Sequence, residues 1–144
     1  MRATRLGPGL RAFWKVHRWV LLATGGRVGS RLGGMQVLVL ETTGRTSGRP
    51  RSVGLFFLER DGRYHVVGSF AGEDRDPAWV RNVRAHPRAT LTLGGRSIPV
   101  IAHPLEGAER ADMFERFVRA DGSYAVYRDR TTREIPVIEL RPEG

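Results

Sequence analysis

The chain has 144 residues, a length that suits one domain with one hydrophobic core. It contains no cysteine, which excludes a disulfide scaffold, a thiol nucleophile and a cysteine-ligated metal site. Its formal net charge of +9 predicts an acidic partner, such as a phosphate-bearing cofactor, an anionic lipid or a nucleic acid. Because a GC-rich genome also favours arginine codons, only arginines inside a motif indicate a site.

Residues 1–34 predict a loose tail, an amphipathic helix and a glycine-rich connection. The helix is expected over Leu10–Ala23, where apolar residues recur at helical spacing beside basic ones. The apolar stretch is too short and too charged to span a bilayer, and it lacks the cleavage site of a signal peptide. Two interpretations stay open. The helix binds an anionic membrane surface through Trp14, Trp19 and its basic residues, or it covers an open end of the following domain or a partner subunit.

Residues 35–144 predict a second unit, mainly β with helices. Strands are expected at Gln36–Thr42, Arg51–Leu58, Arg63–Ser69, Ala89–Leu93, Ser97–His103 and Ile135–Leu140, and helices at Pro77–His86 and Gly107–Ala120. Asp61-Gly62 and Gly94-Gly95 are hairpin-turn signals, and Asp76 is expected to cap the inserted helix. Antiparallel strands this short usually close into a barrel, because closure removes their edges. We therefore expect a β-barrel of about six antiparallel strands.

A basic loop bounded by two glycines joins the first two strands. The sequence TGRTSGRPR runs from Thr43 to Arg51 and places Arg45 and Arg49 on either side of Ser47. The glycines free the backbone to turn its amides toward an anion, while the hydroxyl adds a donor and the arginines add charge. The loop lacks the lysine and the following helix of a Walker A motif. It predicts a phosphate site, with a solvent-exposed basic hairpin turn as the alternative.

Two later segments place aromatic residues at helical spacing. Trp79 and Asn82 lie three residues apart, so Trp79 would wall a flat ring system and Asn82 would hydrogen-bond its edge; the alternative is that Trp79 is core. Tyr124 and Tyr127 also share a helical face, where either would donate a proton or hydrogen bond to a carbonyl or nitro oxygen. The alternative is two tyrosines that bridge core and surface.

The four histidines show neither metal-ligand spacing nor a partner carboxylate pattern. Each is expected to be structural or solvated, and no metal site is predicted.

Four blocks of the sequence resemble one family in their order and spacing. They are TTGRTSGRPR (42–51), VVGSFAGEDRDPAWVRN (66–82), AHPRATLTLGG (85–95) and REIPVIEL (133–140). Together they resemble the deazaflavin-dependent nitroreductase family, the coenzyme F420-dependent oxidoreductases of actinobacteria, over roughly residues 36–140. The resemblance implies a split β-barrel related to the FMN-binding pyridoxamine-phosphate-oxidase-like proteins.

The resemblance also implies which residues form the site. Tyr124 and Tyr127 are expected on the substrate side. Thr46 and Phe70 stand where many members have lysine, which removes two contacts to phosphate. The residues expected to bind the cofactor are Arg45, Thr46, Ser47, Gly48, Arg51, Gly68, Ser69, Phe70, Gly72, Pro77, Trp79 and Asn82.

The implied function is hydride transfer from reduced coenzyme F420 to a quinone or nitroaromatic acceptor, with FMN a less favoured cofactor. The alternative is a non-catalytic split barrel that binds a flavin, a haem-like group or a lipid. Nucleic-acid binding is not expected, because Phe56 and Phe57 cannot both face one side of a strand. A homodimer and a cytoplasmic location, with peripheral contact to the inner face of the cell membrane, complete the expectations.

Overall fold

The computed structural model describes residues 31–32, 35–69 and 75–143. The expected helix at Leu10–Ala23 lies outside these residues. The strands are β1 (Arg31–Leu32), β2 (Met35–Thr43), β3 (Pro50–Arg60), β4 (Arg63–Val67), β5 (Arg88–Leu93), β6 (Arg96–Pro104) and β7 (Val137–Pro142). The helices are α1 (Ala78–Ala85), α2 (Gly107–Ala120) and α3 (Ser123–Asp129).

Six of these strands close into an antiparallel barrel. Neighbours follow the order β2-β3-β4-β7-β6-β5, and β5 pairs back with β2, where Leu40 lies opposite Leu91. The short β1 extends the sheet beside β2, with Leu32 opposite Met35. The predicted mainly β barrel is therefore confirmed, and β1 and α3 are additions to the expected elements.

Two tight turns fix the register of the β3–β4 and β5–β6 hairpins. Asp61 and Gly62 have φ angles of 55° and 76°, and Gly94 and Gly95 have 58° and 83°. Turns with two positive φ angles match the right-handed twist of the flanking strands. Both predicted hairpin turns are thus confirmed.

Strand β2 is buried on both of its faces. Leu38 and Leu40 point into the barrel core, whereas Val37 and Val39 form a smaller cluster with Phe56 on the other side. Alternate strand residues face opposite sides of a sheet, so a strand covered on both sides needs a continuous apolar run. Burial on both faces therefore explains why the predicted first strand is apolar along its length.

A second hydrophobic cluster packs α2 and α3 against the outside of the barrel. The Tyr124 ring on α3 lies with its centroid 5.2 Å from that of Phe117 and 6.5 Å from that of Phe114, both on α2. Val137 of β7 and Ile135 complete the contact. This packing fixes Tyr124 in one place relative to the barrel.

A buried ionic cluster joins β4 to β7. His65 lies opposite Glu139, and its Nε2 is 3.1 Å from Glu139 Oε2. Arg63 and Arg141 donate to Glu139 Oε1 at 3.3 and 2.6 Å. Burial opposes ionisation of Glu139, but the hydrogen bonds from Arg141 and His65 outweigh it and lower the pKa of this carboxyl. His65 is thus a buried structural residue, as expected. Its carboxylate partner left no pattern in the sequence because the two residues are distant in the chain and only strand pairing brings them close.

Candidate functional site

A cleft of about 880 Å³ opens between the β2–β3 loop, β3 and α1. It combines cationic side chains with apolar and aromatic ones. Its lining includes Arg45, Thr46, Ser47 and Arg51 from the loop and the start of β3, Val53, Leu55 and Phe56 from β3, Val67 and Ser69 at the end of β4, Pro77, Trp79 and Asn82 at α1, and Tyr124 from α3.

The β2–β3 loop is closed by its own backbone. The Gly44 amide donates to the Arg49 carbonyl and the Gly48 amide donates to the Gly44 carbonyl, each at 2.8 Å. A Cβ on Gly44 would lie 2.6 Å from Ser47 Oγ and 3.3 Å from the Arg49 carbonyl oxygen, so a larger residue there would displace the Ser47 hydroxyl. The amides of these two glycines are therefore used within the loop, and the expected contact of the loop's backbone amides with an anion stays a prediction.

The loop presents side chains to the cleft instead. Arg45, Ser47 and Arg51 all line it, together with Thr46. Gly48 is absent from the described lining, and its φ of 71° shows that it serves the turn. The two arginines and the serine therefore line one cleft, and their expected binding of an anion stays a prediction.

Asn82 ties the basic loop to α1. Its side chain is buried, and its Oδ1 accepts hydrogen bonds from the Arg45 amide at 3.1 Å and from Arg45 Nη1 at 3.3 Å. Its Nδ2 donates to Thr42 Oγ1 at 3.2 Å, and that hydroxyl donates to the Arg51 carbonyl at 3.4 Å. Asn82 thus positions Arg45 at the cleft, a role that the sequence did not indicate. The expected contact between Asn82 and a ligand ring stays a prediction.

Trp79 belongs to the core and to the cleft at once. Only 6% of the residue is exposed, and it packs in the main cluster with Val80 and Val83. Its remaining surface lines the cleft, as does that of Pro77. The expectation that Trp79 lies apart from the core is wrong, and its expected contact with a cofactor ring stays a prediction.

The expected helix cap at Asp76 is wrong. Helix α1 begins at Ala78 after Pro77, and no side chain caps it. The Asp76 carboxylate instead accepts hydrogen bonds from Arg84 at 2.6 Å and from Arg133 at 2.8 Å. Charge-assisted bonds to two guanidinium groups are stronger than a cap to a backbone amide, and they draw the carboxylate away from the helix start.

The segment that follows β4 contributes Ser69 to the cleft. Gly68 is absent from the part of the lining that the structure describes. A Cβ on Gly68 would lie 2.6 Å from Val80 Cγ2 and 3.0 Å from Pro136 Cγ, so close packing explains this glycine better than ligand contact. Two other predicted ligands lie outside the described residues: Phe70 and Gly72.

Tyr124 reaches the cleft and Tyr127 does not belong to its described lining. The two rings contact each other with centroids 5.7 Å apart. Burial, aided by the Asp121 carboxylate and by Tyr127, raises the pKa of the Tyr124 hydroxyl. The phenol therefore stays neutral at physiological pH and can act as a hydrogen-bond donor.

The apolar wall that β3 contributes to the cleft was not predicted from the sequence. Val53, Leu55 and Phe56 line the cleft and are each half-buried. Sequence pattern cannot separate half-buried core residues from the wall of a cavity, because both need the same apolar side chains. The one sequence feature that could have indicated this wall is its position, because these residues directly follow the basic loop.

Residues 31–32, 35–69 and 75–143 contain no group of histidine and acidic side chains that could hold a metal ion. Across the same residues, no helix is long and apolar enough to cross a membrane.

Comparison with known proteins identifies the family. The family model described as F420H(2)-dependent quinone reductase matches residues 13–142. An F420H(2)-dependent quinone reductase of Mycobacterium tuberculosis is 30% identical over 130 residues, which cover 88% of this chain and 87% of that protein.

Two solved structures agree with this assignment. An F420-H2 dependent reductase, FDR-A, superposes with a TM-score of 0.67 at 36% identity, over 73% of this chain and 93% of that one. A structure described as a domain-swapped dimer gives a TM-score of 0.71 at 31% identity, over 94% of this chain and all of that one. The chain therefore belongs to the F420H(2)-dependent quinone reductase family of oxidoreductases.

Proposed function

We propose that this protein transfers a hydride from reduced coenzyme F420 to a quinone, and that it accepts nitroaromatic compounds as alternative acceptors. The observation that carries the proposal is the cleft, where Arg45 and Arg51 share one cavity with the apolar wall of β3 and with Trp79. Membership of the quinone reductase family supports it.

The residues of the cleft fit a cofactor with a flat ring system and an acidic tail. Arg45, Ser47 and Arg51 would bind the phosphate and the acidic tail, because guanidinium groups and hydroxyls are strong phosphate donors. Trp79 and Phe56 would pack against the ring. When bound, the reduced cofactor supplies the hydride. The protein supplies orientation and a cavity with an apolar wall.

Tyr124 is the residue of the described lining best suited to assist the acceptor. Its neutral hydroxyl donates from Oη, and a donor is most valuable where an oxygen gains negative charge. A quinone carbonyl and a nitro group both place such an oxygen next to the accepting centre. Tyr127 supports the Tyr124 ring through an edge-on contact.

The proposal includes a homodimer in the cytoplasm, attached peripherally to the inner face of the membrane where lipid-soluble quinones reside. A relative described as a domain-swapped dimer supports self-association. The aromatic and basic residues of the N-terminal sequence, including Trp14 and Trp19, support attachment to anionic lipid.

Cofactor titration followed by turnover tests the proposal. Purified protein is titrated with F420 and, separately, with FMN and haem, and binding is followed by visible absorbance. Oxidation of the reduced cofactor is then measured with menadione as the quinone. We expect F420 to bind and menadione to be reduced. Binding of FMN or haem without F420 binding would favour the non-catalytic alternative.

A further inference from the structure

One arginine, Arg133, forms hydrogen bonds both with residues that follow β4 and with a residue that precedes α1. Arg133 Nη2 donates to the Ser69 carbonyl at 2.8 Å and to the Gly68 carbonyl at 3.2 Å. Its Nη1 donates to Asp76 Oδ1 at 2.8 Å. The side chain is 15% exposed, so these bonds are partly shielded from water.

Both bonded segments continue directly into the wall of the cleft. Ser69 lines the cleft, and Pro77, which follows Asp76, lines it from the start of α1. A shift of either segment would therefore move the lining itself, although Arg133 is absent from the described lining.

Residues that follow Arg133 in the chain are themselves bonded to the end of β4 and to α2. The Gly68 amide donates to the Pro136 carbonyl at 2.9 Å, and the Gly68 Cα packs so closely on Pro136 and Val80 that a Cβ would not fit. Arg110 of α2 donates to the Ile135 carbonyl at 2.9 Å. The guanidinium thus projects from a fixed segment, which makes it a rigid clamp.

We propose that Arg133 is a positioning residue of the cofactor cleft, whose guanidinium clamps the end of β4 to the start of α1 and so holds Ser69 and Pro77 in the lining. This inference rests on the proposed function for its effect on the cofactor. Lysine can replace only part of the clamp, because one ammonium group lacks the planar fork that reaches a carboxylate and two carbonyls together.

The experiment compares Arg133→Gln and Arg133→Lys with Arg84→Gln. Arg84 also donates a hydrogen bond to Asp76, at 2.6 Å, but it forms none with the described residues at the end of β4. Arg84→Gln is therefore the matched control. For each protein, the dissociation constant of F420 and the KM and kcat for reduced F420 with menadione are measured. A clamp that shapes the binding wall acts on ground and transition states alike, so KM changes more than kcat.

We expect Arg133→Gln to raise both the dissociation constant and KM by about tenfold, with kcat changed less than about threefold. Arg133→Lys should give only partial rescue, and Arg84→Gln should stay within about twofold of the unsubstituted protein. A folded Arg133→Gln variant with unchanged KM would overturn the proposal. So would an Arg84→Gln variant as impaired as Arg133→Gln, because the effect would then belong to Asp76.

Amide hydrogen exchange supplies a readout that does not depend on the cofactor. The amides of Gly68 and Val80 should exchange at least about tenfold faster in Arg133→Gln, while that of Leu105, bonded to Val137 elsewhere in the fold, should not change. If the unsubstituted protein fails to bind F420, the proposed function fails, and exchange still decides the clamp. Unchanged exchange at Gly68 and Val80 would overturn it.

Discussion

Arg51 is the residue where the anion-binding proposal is tested most directly. Arg51 lines the cleft, whereas its backbone carbonyl accepts the bond from Thr42, so truncating the side chain leaves the local fold intact. We expect Arg51→Ala to weaken F420 binding by about tenfold, as loss of one charge-assisted hydrogen bond predicts. The dependence of the dissociation constant on salt should also become weaker.

The matched control for Arg51 is Arg49→Ala in the same loop. Arg49 carries the same charge and is absent from the described lining of the cleft. Its loss should change affinity by less than about twofold. Equal effects of the two substitutions would show that the loop acts only through its net charge.

Tyr124 and Tyr127 allow a comparison of two neighbouring phenols. Tyr124→Phe keeps the ring that packs against Phe117 and removes only the hydroxyl of a residue that lines the cleft. We expect kcat with menadione to fall by about tenfold to a hundredfold with little change in F420 affinity, because the donor acts as charge develops.

Tyr127→Phe is the control for the hydroxyl of Tyr124, and we expect nearly full activity from it. Steady-state kinetics on both variants decide the matter. Full turnover in Tyr124→Phe would make this tyrosine structural.

At the scale of elements, Gly68 sets the distance between the end of β4 and α1. A Cβ there would approach Val80 Cγ2 to 2.6 Å, and Val80 is fully buried. Gly68→Ala should therefore lower the free energy of unfolding by about 1–3 kcal/mol through overpacking. Thermal unfolding measures the effect. Gly122→Ala should be nearly neutral, because nothing lies within 4 Å of a Cβ at that position.

The pairing of β4 with β7 should make stability depend on pH through Glu139. Its pKa is lower in the folded chain than its unfolded value of 4.5. Its stabilising contribution is therefore fully present above about pH 4.5 and is lost as the pH falls through the lower folded-state pKa. Urea unfolding of the unsubstituted protein should show this loss.

Glu139→Gln isolates the contribution of this carboxylate. At neutral pH it should cost about 2–4 kcal/mol, because it leaves the buried His65 and the two arginines without their anion. The gap from the unsubstituted protein should narrow in acid. Glu115→Gln, in an exposed pair with Arg128, should cost less than about 1 kcal/mol. A gap that stays constant with pH would contradict the assignment.

At the scale of the whole molecule, the N-terminal sequence should decide where the enzyme works. We expect the full chain to pellet with phosphatidylglycerol vesicles at low salt but not with neutral phosphatidylcholine vesicles. Each basic residue near an anionic surface contributes on the order of 1 kcal/mol. A chain that lacks residues 1–30 should stay stable and active and should no longer pellet.

Two outcomes would separate the interpretations of this N-terminal sequence. Failure of the full chain to pellet at low salt would refute membrane attachment. Loss of stability on deletion would show instead that the segment covers the barrel or a partner subunit. Light scattering on both proteins would test whether the proposed homodimer forms and whether it depends on this segment.

Elements that depend only on neighbouring residues could be predicted from the sequence alone. Asp61-Gly62 and Gly94-Gly95 specified their turns because few residues adopt positive φ angles. The apolar run of β2 and the arginine-rich loop that follows it are also local features. Together with the order of the four sequence blocks, they indicated the family. These features placed Arg45, Ser47 and Arg51 in one loop region, but not yet at one cleft.

Tertiary structure alone decided what depends on residues far apart in the chain. Asn82 reaches back 37 residues to Arg45, His65 meets Glu139 across 74, and Arg133 meets Asp76 across 57. Such pairs leave no periodic signal in the sequence, because barrel closure and strand register determine which side chains meet. For the same reason Asp76 was mistaken for a helix cap, because its carboxylate is bonded to Arg133, which only the folded chain brings near.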